Sequence, residues 1–179
     1  MSQTASLYRI SEEIFNQIKE SEDRGEFIYY KIAKSDAHFD GSFMALEFIL
    51  SKGRNEYYAN LAWKIFNPTC LLSTNGFDDM SDEGKFEYVD TGNLVLYLDL
   101  VTISSIHKFI GSISESEIDS KYNSEELKIF KIYPQNAWHD DNSLNRIFNK
   151  RQVVEDFIAL KKIFEEAFTE RDYILVFIG

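Results

Sequence analysis

The sequence predicts an α/β (or α+β) domain in which helices cover a small central sheet, with a long C-terminal helix leading into a buried C-terminal strand. Three observations carry this. The run YILVFI (Tyr173–Ile178) is apolar without a break and short, the pattern of a strand buried on both faces. Ahead of it, residues 143–171 read as helix, with Val153, Phe157, Leu160, Phe164 and Phe168 recurring on one stripe. Upstream, helical stripes alternate with a few short strand-like runs, the pattern of a small central sheet covered by helices.

SLYRIS (Ser6–Ser11) alternates as a short strand. Ser11 then stands as an N-cap, with Glu12 and Glu13 at the positive end of a helix whose inner stripe is Ile14, Phe15 and Ile18. Ser21–Gly25 is a polar break, and FIYYKI (Phe27–Ile32) has the composition of a strand. Asp40 is placed to cap a helix carrying Phe43, Leu46, Ile49 and Leu50, ended by Gly53. Glu56–Phe66 reads as a helix with Tyr58, Leu61, Ala62 and Ile65 inward, stopped by Asn67-Pro68. An acidic loop at about 73–85 follows, and strand chemistry returns at Leu94–Leu98. Asp99 caps a helix running to Ile110 and Gly111. Ser114 with Glu117, and Asn123 with Glu126, have the spacing of capping boxes. Ile132-Tyr133-Pro134 turns the chain, and the Asn149–Gln152 stretch is a point where the last helical region divides.

With 179 residues, 44% of them apolar, 27 aromatic, eight glycines and two prolines, the chain has material for one sizeable core and little for a linker. A single domain over 1–179 is expected. Met1–Leu7 lacks a basic segment leading into an apolar one, so no secretory signal is expected. No apolar run approaches the ~20 residues of a membrane helix. Cys70 is the single cysteine, which removes intrachain disulfides and thiolate clusters. A cytoplasmic setting fits these features. Thirty acidic against 19 basic residues give a net charge of −11, so a nucleic acid would repel the chain unless the bases cluster. The densest group, Lys150, Arg151, Lys161 and Lys162, is interspersed with Glu155, Asp156, Glu165 and Glu166.

LKIFKIYPQNAWHDD (Leu127–Asp141) ends in groups from which metal and acid–base sites are built. Neighbouring residues point in different directions, however, so His139, Asp140 and Asp141 are no chelate by themselves. Packing of Trp138 and capping of the next helix by Asp141 or Asn142 explain the stretch more simply. His38, His107 and His139 show no HxH or HExxH spacing. DMSDEGKFEYVD (Asp79–Asp90) has the register of an EF-hand loop, with Asp79, Ser81, Glu83 and Asp90 as candidate calcium ligands and Gly84 at the turning position. Glu83 is long for its place, Asp90 is a poor closing ligand, and an acidic solvated loop accounts for the same residues. Cys70 has no adjacent base and reads as an inert thiol. No GxSxG, GxGxxG or GxxxxGK[ST] occurs, so no nucleophile elbow or glycine-rich phosphate cradle is signalled, and no cofactor is expected.

Several stretches, taken in order, resemble the YfbM-like family, a bacterial domain of unknown function. SLYRIS leading into EEIF is similar to that family's opening strand and helix. FDGSFMALEFILSKG (Phe39–Gly53) resembles its Asp-Lys-x-Trp segment and following helix, with Phe43 in place of the tryptophan and Glu47 in place of a histidine. TGNLVLYLDLVTISSIHKFIGSIS resembles a glycine-led strand entering a helix. FKIYPQNAW (Phe130–Trp138) resembles an Ile-Tyr-Pro signature before a long helix and a terminal apolar strand. The resemblance implies a mixed sheet and brings no activity.

Two functions are expected from these readings. One is a non-catalytic acidic protein-interaction module, of the immunity or antitoxin type, with a basic partner protein. The alternative is a small-molecule-binding protein or hydrolase with a site between sheet and helices, for which Asp40, Glu47, Tyr133, Trp138 and His139 are the candidate groups. Oligomeric state is left open.

Overall fold

A computed structural model describes residues 3–73 and 77–179. Residues 74–76 of the expected acidic loop, and the first two residues of Met1–Leu7, lie outside that description. In chain order the elements are β1 (Thr4–Ile10), α1 (Glu12–Glu20), α2 (Tyr29–Ile32), β2 (Ser35–Asp40), α3 (Phe43–Ser51), α4 (Glu56–Phe66), β3 (Cys70–Leu72), a 3-10 turn (Phe77–Asp79), α5 (Asp82–Asp90), β4 (Val95–Leu98), α6 (Leu100–Gly111), α7 (Glu115–Lys121), α8 (Ser124–Ile129), α9 (Lys150–Glu170) and β5 (Tyr173–Ile178).

The strands form one sheet in the order β2-β1-β5-β4-β3. Helices cover it as expected, but every pairing is antiparallel rather than mixed. The last strand is therefore the central one. It pairs with β1 through Leu7↔Val176 and with β4 through Leu98↔Ile174, which is why YILVFI needs apolar side chains on both faces. One face, with Ala5, Leu7, Phe39, Leu98, Ile174 and Val176, joins the main core under α3, α4, α6, α7 and α9. The other face packs Ile10, Leu175, Val95 and Leu72 against Phe15 and Ile18 of α1. On this smaller face the Phe15 and Tyr173 rings stack with centroids 3.8 Å apart.

Helix starts follow the cap chemistry. Ser11, Asp99, Ser114 and Asn123 each accept a hydrogen bond from the backbone N–H three residues on, at 3.3, 2.7, 3.1 and 2.9 Å. Asn149 does the same for Gln152 at 3.1 Å, so the expected division there is the true start of α9, and 143–149 precedes the helix.

Several expectations are corrected. FIYYKI is not a strand: its second half is the short helix α2, and the edge strand is the following SDAHFD, where only Ala37 and Phe39 point inward. Asp40 does not cap α3. It ends β2, and Gly41 at φ +75 turns the chain so that buried Ser42 occupies the cap position. A side chain at Gly41 would also lie 3.1 Å from the Tyr133 and Phe148 rings. Tyr58 and Phe168 face solvent, and Phe66 and Ile163 fill the core instead. The acidic segment is not all loop, because Ser81 accepts from the Gly84 N–H at 3.2 Å and starts α5.

Candidate functional site

The candidate groups fall in three places. Tyr133 and Trp138 lie at one corner, where the Gly41 turn that follows Asp40 approaches the Tyr133 and Phe148 rings and Phe148 meets Trp138. Trp138 is fully buried. Its Nε1–H donates to the Ile132 carbonyl at 3.0 Å, and its ring meets Tyr122 and Phe148 edge-on at 6.4 and 5.6 Å. His139 contributes its backbone: its N–H donates to the Phe148 carbonyl at 3.0 Å, and its own carbonyl accepts from the Tyr122 hydroxyl at 2.8 Å. That burial pushes the Tyr122 hydroxyl well above its ordinary range. Asp140 accepts from the Ser124 N–H at 2.9 Å. Asp141 accepts from the Ser143 N–H and from Arg146, both at 2.9 Å, and the backbone N–H first among these holds its carboxyl below the usual range. The polar groups of AWHDD thus close the turn before α9, and they converge on no common point.

Glu47 lies apart from this corner. Its carboxylate accepts from Asn67 Nδ2 at 3.1 Å, just past α4. Burial pushes it up to about 7, against the opposing pull of that hydrogen bond. A second raised carboxyl, absent from the sequence candidates, is Asp156 on α9. Burial is the main cause of its rise to about 6, and the charges of Glu155 and Asp40 add to it. The Ser42 hydroxyl is near enough to lower it in part, yet the two are not aligned as a hydrogen bond: among the described residues Ser42 Oγ and Asp156 Oδ2 have no partner. No local pattern in SDAHFD marks this corner, because only Ala37 and Phe39 of β2 face the core.

Alternation also hides a surface group on β1 and β2. Ser6 Oγ lies 2.9 Å from His38 Nδ1, and His38 Nε2 lies 3.6 Å from Asp36. The second contact is too long for a hydrogen bond, so the trio is no proton relay. A buried ion cluster holds the far ends of the same strands. Asp172, 2% exposed, accepts from Arg9 at 2.9 Å and Lys34 at 3.0 Å, and Ser35 donates to Glu166 at 2.7 Å.

The calcium candidates do not form a loop. Asp79 is in the 3-10 turn, Ser81 is an N-cap, and Glu83 and Asp90 are on α5, roughly 10 Å apart along a helix axis. Among the described residues no group of three or more His, Cys, Asp or Glu is arranged to hold a metal. What the segment builds instead is an acidic helix with no buried residue. Six acidic side chains lie between Phe77 and Asp90 against Lys85 alone, and Phe86 in their midst is 77% exposed. Val89, one turn on, is also exposed. Tyr88 ties the helix down, through its ring against Phe77 and its hydroxyl accepting from Arg24 at 3.0 Å. Gly25 lets the backbones approach here, since a Cβ on it would sit 2.2 Å from the Thr91 carbonyl oxygen.

An antiparallel five-stranded sheet with helices on both faces and a central C-terminal strand defines the architecture. The chain belongs to the family described as Domain of unknown function (DUF1877), whose model matches residues 1–177. Among solved structures it is similar to the crystal structure of YfbM from Escherichia coli, a protein of unknown function, with 12% identity, a TM-score of 0.57, and 98% of this chain and 99% of that chain covered. At that identity the likeness establishes the fold, and with the family match it bears out the YfbM-like resemblance. No functionally curated protein matches the chain. Among the described residues, no helix is long and apolar enough to cross a membrane.

Proposed function

We propose that this protein is a non-catalytic acidic interaction module that engages a basic partner protein, in the manner of an immunity or antitoxin protein, through the face of α5. The observation that supports this most is Phe86: a large apolar ring in solvent, on a helix with nothing buried, framed by carboxylates. An exposed aromatic in a predominantly acidic surround suits a partner with an apolar pocket rimmed by Lys or Arg. Long-range attraction from a net charge of −11 would speed the encounter.

The test is affinity capture from the source cells with the full chain, at low and high salt, beside Phe86→Ser and the double variant Asp82→Lys/Glu83→Lys. A basic partner should be retained in stoichiometric amount at low salt, weaken at high salt, and be lost with both α5 variants. No stoichiometric partner, or one indifferent to the α5 substitutions, overturns the reading. The alternative, a small-molecule-binding protein or hydrolase, draws support from Glu47 and Asp156, two carboxyls raised toward neutrality. Glu47 is tied to Asn67 beside α4, and Asp156 lies on α9 beside Ser42.

A further inference from the structure

A cleft of about 290 Å3 opens between the first turns of α6 and the last turn of α9, lined by Leu100, Ile103, Ser104, Ala167, Phe168 and Arg171. Three features of it stand out together. Arg171 ends α9 in the left-handed conformation, φ 57 and ψ 42, with its N–H donating to the Ala167 carbonyl. Glycine is the usual residue there, because a Cβ crowds the following carbonyl oxygen in that conformation. The chain carries an arginine instead, at the rim of the cleft.

The exposed guanidinium has no ion pair or hydrogen bond among the described residues. Glu170 and Asp172 flank it in sequence, and the Asp172 carboxylate is occupied by Arg9 and Lys34. The Ser104 hydroxyl has no partner among them either. Two further acids on these helices are engaged elsewhere: Asp99 accepts from the Thr102 N–H at 2.7 Å, and Glu165 pairs with His107.

The walls between these donors are apolar and held in place. Ile103 and Ala167 belong to the core. Phe168 is 41% exposed, and its ring stacks on His107 with centroids 4.4 Å apart and planes 13° from parallel. We infer that this cleft binds a small carboxylic acid with an aromatic or compact apolar body. The carboxylate pairs with Arg171, Ser104 donates a second hydrogen bond, and the body lies against Phe168. This site is separate from α5 and does not depend on the partner-docking reading.

Phenylacetate titrated into the full chain, followed by backbone amide NMR, tests it, with benzylamine as a probe of similar body and opposite charge. Saturable shifts are expected at Ser104, Phe168 and Arg171 with phenylacetate and not with benzylamine. Arg171→Gly should weaken binding by about tenfold or more, while its thermal midpoint stays level or rises, because glycine suits that backbone. Ser104→Ala should weaken binding a few-fold. The inference is overturned if wild type shows no saturable shifts at those residues, if benzylamine binds equally, or if Arg171→Gly leaves phenylacetate affinity intact.

Discussion

The Trp138 corner and helix α5 present opposite cases. The corner carries the residue types of a site, a histidine, two aspartates, a tyrosine and a tryptophan. Yet its described hydrogen bonds run to its own backbone or to neighbouring turns: Trp138 to Ile132, Tyr122 to His139, Ser124 to Asp140 and Ser143 to Asp141. Helix α5 carries residue types of a solvated loop, and it buries nothing. What separates a structural group from an available one is whether its hydrogen-bonding and apolar surface is already engaged. Residue identity alone does not tell the two apart.

Substitutions should rank accordingly. Trp138→Ala removes a fully buried indole and its hydrogen bond, and should cost about 3–5 kcal/mol of stability in urea unfolding. A loss below about 1 kcal/mol would remove the corner from the core. Asp172→Ala comes next. It takes the closer carboxylate from buried Arg9, which keeps Glu166 at 3.5 Å and Ser35 at 2.8 Å, with an expected loss of about 2 kcal/mol.

Asp156 is an intermediate case, buried beside Ser42 without an aligned hydrogen bond to it. Its folded value, about 6, exceeds the ordinary 3.8. The folded protein therefore binds the proton more tightly, and this contribution is full below about pH 4 and lost as pH rises through about 6. Asp156→Asn should flatten stability over that window and raise it by roughly 2 kcal/mol at neutral pH. An unchanged pH profile would mean the carboxyl is solvated. Glu47, raised to about 7 by burial, adds a loss of the same sign at higher pH. Phe86→Ser should have the smallest effect, within about 0.5 kcal/mol, because its ring touches water. A larger loss would show α5 to be part of the packed body.

The same distinction marks what could be read from sequence. β5 was legible because a central strand needs apolar residues on both faces, and α9 because Val153, Phe157, Leu160 and Phe164 repeat at helical spacing against the sheet. The caps at Ser11, Asp99, Ser114 and Asn123 were legible because a side chain bonding three residues ahead leaves a fixed spacing. β2 was not, since only Ala37 and Phe39 face the core and the rest of SDAHFD looks like loop. β3 is three residues long, too short for any period. α5 has no buried stripe, so only Ser81 signalled it. Asp156 and Arg171 were missed because their roles depend on Ser42 and on the α6 turns, contacts distant in sequence.

Native-state hydrogen exchange on the purified chain tests the contrast most directly. Amides of 82–90 should exchange through local opening, far faster than those of Tyr122, Trp138 and Ile174–Val176, which should exchange only with global unfolding. Protection of α5 equal to that of β5 would contradict the account, because a helix with no buried side chain has little packing to hold its amides closed short of global unfolding.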